Sequence, residues 1–260
     1  MNSYNFVWAQ PHSIQCSSGR GRLFPLAIFF DVDGTLLDNL GAHVKATEAI
    51  LRDLGRGDID PREFHARWDR AMFPFHRHIE REHRFLSVNH IMARSLEQTL
   101  KKYMIAFDDK RLDKYITMTR HSFAEHGKLF DDTRPALHSL RDLGYNLHIV
   151  SNADLEVYRQ LARMRLSSFF MKGVTSYEAR SYKPSRTIFF KALAAAHSEP
   201  GKAVMVGDSL ECDIAGASRV GMRTVLIDRS LGCDSCKTEA PRVRPDYVIR
   251  DLREIAMKLP

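Results

Sequence analysis

No apolar run in this 260-residue sequence approaches the roughly 18 consecutive residues that a membrane-spanning helix needs. The longest, residues 23–30, is bounded by Arg22 and Asp31. Cysteine is scarce, with four residues, so we expect a reducing, cytoplasmic location and no disulfide framework. Internal repeats and low-complexity tracts are also lacking. The sequence therefore predicts a globular protein with no membrane partner.

Acidic residues are missing from the first 25 positions, which also lack the apolar stretch of a secretory signal. We predict a disordered tail over residues 1–24. A mitochondrial targeting segment remains an alternative, because such segments are poor in acids. Cys233 and Cys236 form a CxxC pair with no second pair or nearby histidine, which favours two ordinary thiols over a zinc or redox site.

The formal net charge is +7, but Lys and Arg are scattered among carboxylates and form no basic block. Nucleic acid is therefore not the favoured partner, and a small anionic substrate explains the charge equally well. Salt-dependent nucleic-acid binding remains an alternative function.

The most informative segment is an apolar run, residues 26–30, that leads into the sequence DVDGT. Such a run fits a strand covered on both faces in a parallel sheet, and ligands bind at the carboxyl ends of these strands. Asp31 and Asp33 are two residues apart, so their side chains share one side of an extended chain. Two carboxylates this close predict Mg²⁺, acid/base chemistry or both. Gly34 and Thr35 offer backbone amides that can cradle a phosphate, and a plain turn or a calcium loop is the alternative.

The chain alternates helix and strand from about residue 129 onward, which predicts an α/β fold with a parallel sheet. Between residues 40 and 128, in contrast, apolar residues recur at helical spacing and no strand is indicated. We therefore predict a helical bundle, the cap, at 40–128, inserted into a core of residues 25–39 and 129–260. The predicted core strands are 26–30, 145–150, 174–176, 203–206, 224–227 and 247–249.

Polar residues suited to phosphate chemistry lie beside three further predicted strands. Ser151 and Asn152 follow the second core strand, and Lys183 lies between a strand and a helix. Asp208 follows the fourth strand, with Asp213 five residues later. Each has a structural alternative, as a helix cap or a solvated lysine. Because all occur in one order at strand ends, these alternatives are weak when taken together.

These segments resemble the four motifs of the haloacid dehalogenase (HAD) superfamily, represented here by DVDGTLLD, the Ser-Asn pair, SYKPSRTIF and the Gly-Asp-Ser after the fourth strand. The resemblance covers about residues 26–255. It implies a Rossmann-like core with helices on both faces of the sheet and a helical C1 cap, as in the phosphoglycolate phosphatase and β-phosphoglucomutase group. It also implies a Mg²⁺-dependent phosphomonoester hydrolase that forms an aspartyl-phosphate.

The resemblance further implies a role for each motif residue. Asp31 would be the nucleophile, and Asp33 the general acid and base. Mg²⁺ would be held by the carboxylates of Asp31 and Asp208 and the main-chain carbonyl of Asp33, with Asp213 supporting that shell. The residues expected around the phosphoryl oxygens are Thr35, Ser151, Asn152 and Lys183.

The residue at position 33 distinguishes this sequence from members of the superfamily with other activities, which narrows the expected reaction. Dehalogenases of the superfamily carry an aromatic residue at the place of Asp33, and phosphonate-cleaving members carry alanine, so Asp33 favours phosphoryl transfer from oxygen. Sugar phosphomutases keep both aspartates and remain an alternative, as does a non-catalytic phospho-ligand binding module. Eight of the twelve histidines lie in the predicted cap, some near Arg77, Arg81 and Arg84, and we prefer a solvated helix face to a second anion site there. The expected partner is a small phosphorylated metabolite, acted on by a monomer or homodimer.

Overall fold

The computed structural model describes Trp8 and residues 27–82, 85–229 and 243–259, with only the backbone described at 76–82. Two predictions therefore lie outside the described residues: the disordered tail, apart from Trp8, and the Cys233/Cys236 thiols. The side chains of Arg77, Arg81 and Arg84 also lie outside them. The chain divides into two compact units: the first contains the described residues on either side of the insertion, and the second runs from Leu37 to Lys128.

The first unit is built on a six-stranded parallel sheet in the order β5-β4-β1-β6-β7-β8. Its strands are β1 (Ala27–Phe30), β4 (Asn146–Ser151), β5 (Lys172–Thr175), β6 (Ala203–Gly207), β7 (Arg223–Ile227) and β8 (Tyr247–Ile249). Because the strand order reverses on either side of β1, right-handed crossovers place helices on both faces of the sheet. This is the predicted α/β class with a Rossmann-like core.

Strand β1 lies at the centre of this sheet, with Ala27 opposite Asn146 on one side and Ala203 on the other. All four of its residues are buried, which explains why the run is apolar without alternation. The carboxyl ends of β4, β1 and β6 are therefore neighbours. Any polar residue that follows these strands lies at one edge of the sheet.

The helices of this unit connect the strands. They are α5 (Thr133–Asp142), α6 (Glu156–Arg163), α7 (Ser176–Ala179), α8 (Arg186–Ala195), α9 (Gly216–Ser218) and α10 (Ile255–Lys258). Helix α8 begins after Ser185, whose hydroxyl accepts a hydrogen bond from Thr187 N. Its residues Ile188, Phe189 and Ala192 join the core cluster that contains Phe29 of β1.

The second unit is a helical bundle of α1 (Leu40–Asp53), α2 (Pro61–Glu82), α3 (Val88–Lys102) and α4 (Asp109–His126). Two short strands, β2 (Leu37–Asp38) and β3 (Lys128–Leu129), pair with each other at its two chain ends. Helix α2 starts with Asp60 as its cap, whose side chain accepts from Glu63 N at 2.8 Å. The indole of Trp68 is buried among the helices and donates to the carbonyl of Met92 at 3.0 Å.

The segment after β6 contains little regular α-helix. Residues Leu210–Ala215 form a π-helical turn, and only Gly216–Ser218 (α9) are α-helical. The carbonyl of Ser209 accepts from both Asp213 N (3.0 Å) and Ile214 N (3.2 Å), which widens the turn. No helix among the described residues has the length and apolarity to span a bilayer.

Candidate active site

Asp31 lies directly beyond the last residue of β1, at the centre of the sheet edge. Its backbone N–H donates to the carbonyl of Val206 at 2.9 Å, which continues the pairing of β1 with β6. The residue is 7% exposed. A carboxylate this deep needs a charged or hydrogen-bonding partner.

Lys183 provides that partner. Its ammonium lies 2.5 Å from Asp31 Oδ1, 2.6 Å from Asp213 Oδ1 and 3.0 Å from the carbonyl of Val150. These acceptors use all three N–H donors of the ammonium, so a lysine that is only 2% exposed is fully hydrogen-bonded. The structure therefore places Lys183 as a buried ion-pair residue rather than a solvated one.

Asn152 holds the backbone of the lysine segment. Its side-chain oxygen accepts from Lys183 N at 2.7 Å, and its Nδ2 donates to the Lys183 carbonyl at 3.1 Å. This reciprocal pair crosses from the end of β4 to a segment 31 residues later. Asn152 thus positions Lys183, and its predicted contact with a phosphoryl oxygen stays a prediction.

The π-helical turn brings Asp213 back toward the strand ends. Its second carboxylate oxygen accepts from Ser209 N at 3.1 Å, while the first binds Lys183. Gly207 makes this approach feasible, because a Cβ at that position would overlap the Asp213 carboxylate. Asp213 is 1% exposed, so its charge is balanced by Lys183 inside the protein.

Carboxylate oxygens of Asp31, Asp208 and Asp213 lie within 4.8 Å of one another, a cluster able to hold a metal ion. The Gly34 backbone packs against the same place, since a Cβ there would overlap the Asp208 carboxylate. Lys183 pairs with Asp31 and Asp213 but not with Asp208, so the three carboxylates carry more negative charge than the lysine balances. Hard oxygen donors with excess negative charge fit Mg²⁺.

The electrostatics of the cluster agree with this fit. Burial raises the pKa of Asp31 to about 7, with the Lys183 ammonium opposing the shift and the charges of Asp213 and Asp33 adding to it. Asp208 as a whole residue is exposed, but its carboxylate loses hydration. This loss, together with the charges of Asp31 and Asp213, raises the pKa of Asp208 well above the usual value. Burial alone would lower the pKa of Lys183, yet the two paired aspartates outweigh it and the pKa is raised. A divalent cation would lower the pKa of each carboxylate it binds.

The other predicted site residues flank this cluster. Asp33 is exposed in the turn after β1, and Thr35 and Ser151 are buried. Within the described chain, the hydroxyl oxygen of Thr35 has no hydrogen-bond partner. A buried hydroxyl without a partner is rare and is suited to bind a ligand oxygen.

Two residues beside the turn were not expected from the sequence. Arg229 binds Asp132 at 2.7 and 2.9 Å and donates to the main-chain carbonyl of Thr35 at 2.8 Å. A signal for Arg229 was available, because it follows β7 at the same edge of the sheet as the motif residues. Asp132 had none, since it lies in the connection that leads to α5.

A parallel sheet that carries aspartates and a lysine at its strand ends, with a helical insertion after its first strand, defines a Rossmann-like α/β protein with an inserted cap and an acidic candidate site. The chain belongs to the haloacid dehalogenase-like hydrolases, whose family model matches residues 25–221.

Several curated relatives of the chain are named as phosphatases. It is 27% identical over 230 residues to the glyceraldehyde 3-phosphate phosphatase of Methanopyrus kandleri, which covers 88% of this chain and 94% of that protein. It is 33% identical over 138 residues to the ribulose-1,5-bisphosphate 5-phosphatase of Halopiger xanaduensis. The latter match spans 52% of this chain and 58% of the relative.

Among solved structures, the chain is similar to the HAD-hydrolase YfnB from Bacillus subtilis bound to magnesium. The TM-score is 0.75 at 22% identity, over 90% of this chain and 98% of the other. At this identity the likeness shows the fold, a Rossmann-like core with a helical cap.

Proposed function

We propose that the protein is a Mg²⁺-dependent phosphomonoester hydrolase that acts on a small phosphorylated metabolite through an aspartyl-phosphate on Asp31. The observation that carries the proposal is the buried Asp31 carboxylate bound by Lys183 at 2.5 Å beside Asp208 and Asp213. Few purely structural arrangements place three carboxylates and one lysine at the end of a central strand. The relatives named as phosphatases support the same reaction.

In the first half-reaction, an oxygen of Asp31 attacks phosphorus and the bond from phosphorus to the ester oxygen breaks. Asp33 gives its proton to the departing oxygen, which leaves as an alcohol. Lys183 holds the other side of the Asp31 carboxylate, so the attacking group keeps one orientation. The unpartnered hydroxyl of Thr35 donates to a phosphoryl oxygen.

In the second half-reaction, Asp33 takes a proton from water, whose oxygen attacks the phosphorus of the aspartyl-phosphate. Phosphate leaves and the Asp31 carboxylate is restored, with Asp33 again protonated. Mg²⁺ held by Asp31, Asp208 and the Asp33 carbonyl would neutralise the charge that builds up on the phosphoryl group. Asp213 anchors Lys183 and supports this shell.

The phosphoryl group is further enclosed by Ser151 and Asn152 in this proposal. Ser151 is the last residue of β4, adjacent to the strand that ends in Asp31. Its hydroxyl would donate to a phosphoryl oxygen, and Asn152 would keep Lys183 at the same distance throughout. A cytoplasmic location and a monomeric or homodimeric state stay predictions.

The first test is hydrolysis of p-nitrophenyl phosphate and of an alkyl phosphate panel, with Mg²⁺ and with EDTA. The panel contains glyceraldehyde 3-phosphate, ribulose 1,5-bisphosphate, phosphoglycolate and glycerol 3-phosphate. Wild type should release phosphate only with Mg²⁺, and Asp31→Asn should lower kcat by at least about 10³-fold, because an amide does not attack phosphorus.

Asp246→Asn is the matched control, since Asp246 accepts hydrogen bonds from Thr224 in the same unit but lies outside the motif residues. Its activity should stay within a few-fold of wild type. Substantial turnover by pure Asp31→Asn would refute the assigned nucleophile. Conversion of a sugar phosphate to its isomer without phosphate release would show a phosphomutase, and binding without turnover would show a phospho-ligand module.

A further inference from the structure

Arg229 joins two stretches of chain that lie far apart in sequence. Its guanidinium carbon lies 3.9 Å from the centroid of the Phe130 ring, and its Nη atoms bind both carboxylate oxygens of Asp132. The side chain of Arg229 is 14% exposed and that of Asp132 is 6% exposed. A bidentate pair at this depth has one preferred geometry.

Asp132 is itself fixed by a further donor. The backbone N–H of Leu252 donates to its Oδ2 at 2.8 Å, so the carboxylate accepts three hydrogen bonds from two segments. The charges of Arg229 and Asp132 compensate each other. The pair therefore acts through its geometry and adds little net field at the site.

The second hydrogen on Nη2 of Arg229 reaches the turn that carries the motif residues. It donates to the carbonyl of Thr35 at 2.8 Å. The next carbonyl, that of Leu36, accepts from Phe130 N at 3.2 Å and from Thr133 Oγ1 at 2.8 Å. Two successive peptide planes at the end of this turn are thus held by residues of the 130–133 segment and Arg229.

The other end of the turn is fixed by strand pairing. Asp31 N donates to Val206 O, and Leu36 N closes the turn on Val32 O at 2.9 Å. Asp33 lies between these two anchors and is itself exposed. The orientation of Asp33 therefore depends on the strand pairing at Asp31 and on the contacts that Arg229 and the 130–133 segment make with the Thr35 and Leu36 carbonyls. Only the strand pairing belongs to the motif segments.

We infer that Arg229 is a positioning residue which, through Asp132 and the Thr35 carbonyl, orients the turn that carries Asp33. This inference rests on the proposed phosphatase function for its catalytic consequence. If the anchor is lost, proton donation by Asp33 to the leaving oxygen suffers more than attack by Asp31. The loss should therefore depend on how much the leaving group needs a proton.

The test compares Arg229→Met with Arg141→Met. Methionine keeps an apolar side chain against Phe130 and removes the donors. Arg141 is a matched control, because it also lies over a phenylalanine ring, that of Phe169, and donates to a carbonyl, that of Ser168 at 2.8 Å. Arg229→Lys retains a charged donor and serves as the conservative variant.

Each variant is assayed on p-nitrophenyl phosphate, whose leaving group departs without a proton, and on the alkyl phosphate that wild type hydrolyses best. Arg229→Met should lower kcat for the alkyl ester by on the order of tenfold more than for the aryl ester. Arg141→Met should change kcat for the two esters by the same factor. Arg229→Lys should give values between those of wild type and Arg229→Met. Equal losses on both esters in Arg229→Met would refute positioning of Asp33.

Hydrogen exchange of residues 33–37 gives a readout that needs no activity. Their amides should exchange about tenfold faster in Arg229→Met than in wild type, because one anchoring hydrogen bond is lost. In Arg141→Met their exchange rates should equal those of wild type. Unchanged protection in Arg229→Met would overturn the inference. If Arg229→Met does not fold, Arg229→Lys decides by the same two measurements. If wild type hydrolyses no ester, the proposed function fails while exchange still tests the anchor.

Discussion

His148 is a buried histidine in an apolar part of the core, away from the candidate site. It lies in β4, 4% exposed, with its ring stacked on Phe29 at 5.0 Å. Neither ring nitrogen has a hydrogen-bond partner within the described chain, and burial lowers its pKa to about 4. The imidazole is therefore neutral, and no hydrogen bond offsets its loss of hydration.

This environment predicts an acid-sensitive fold. The folded pKa lies below the unfolded value of about 6.5, so the unfolded chain binds more protons between these values and stability falls as the pH drops from 6.5 to 4. The contribution of His148 is about 3 kcal/mol over that range. His148→Phe should remove that part of the pH dependence in urea unfolding.

His138→Phe is the control, because His138 also contacts a phenylalanine ring, at 4.7 Å, but is exposed. Its unfolding free energy should show the wild-type pH dependence. A wild-type pH dependence in His148→Phe would contradict the assignment.

Single site residues could be identified from the sequence by their place after apolar strands. In the fold, Asp31, Lys183, Asp208 and Asp213 lie together. The place of Arg229 after β7 is visible in the sequence, but its pairing with Asp132, 97 residues away, is not, because that pairing depends on how the sheet and its connections pack. The role of each motif residue in catalysis stays a prediction.

Among the helices, α7 is short, and it leads directly into the segment that carries Lys183. It has four residues and begins with a capping box between Thr175 and Glu178. The Glu178 carboxylate accepts from Thr175 N at 2.9 Å and from Tyr158 Oη at 2.6 Å. A helix this short depends on its cap and on packing rather than on its own propensity.

Glu178→Ala should therefore destabilise the fold by about 1–2 kcal/mol and also lower kcat, because the segment that delivers Lys183 loses its support. Glu254→Ala removes the other capping box, which Glu254 forms with Asp251. Urea unfolding should show a similar loss in both variants, with kcat lowered in Glu178→Ala alone. Unchanged kcat in Glu178→Ala would mean that α7 does not support Lys183.

Most elements follow from sequence patterns, and β1, β4, β6, β7 and β8 agree with the predicted strands within about a residue at each described end. The π-helical turn at Leu210–Ala215 did not follow. Its widening comes from hydrogen bonds to Ser209 and Lys183, and neither apolar spacing nor capping patterns encode them.

At the scale of the whole molecule, the carboxylate cluster should couple Mg²⁺ binding to the free energy of unfolding. Without metal, Asp208→Asn should be more stable than wild type, because it removes one of three neighbouring negative charges. With Mg²⁺ at 100 times its Kd, wild type should gain about 2.7 kcal/mol and Asp208→Asn much less. Thermal unfolding in EDTA and in Mg²⁺ should therefore reverse the order of the two proteins.

Asp246→Asn again serves as the control and should gain as much from Mg²⁺ as wild type. An identical gain in Asp208→Asn would exclude Asp208 from the metal site. No gain in wild type at any Mg²⁺ concentration would remove the metal from the proposed function.

The hydrogen bonds that tie Leu36 to Phe130 and Thr133 also bear on how the chain folds. They join residues on either side of the helical insertion, and the sheet pairs β1 with β4 across the same insertion. The segment from Leu37 to Lys128 makes its own contacts locally, as a helical bundle. Local helical contacts form faster than distant strand pairs, and a folded insertion shortens the loop that β1 and β4 must close. The topology therefore predicts that the inserted bundle forms before β1 pairs with β4.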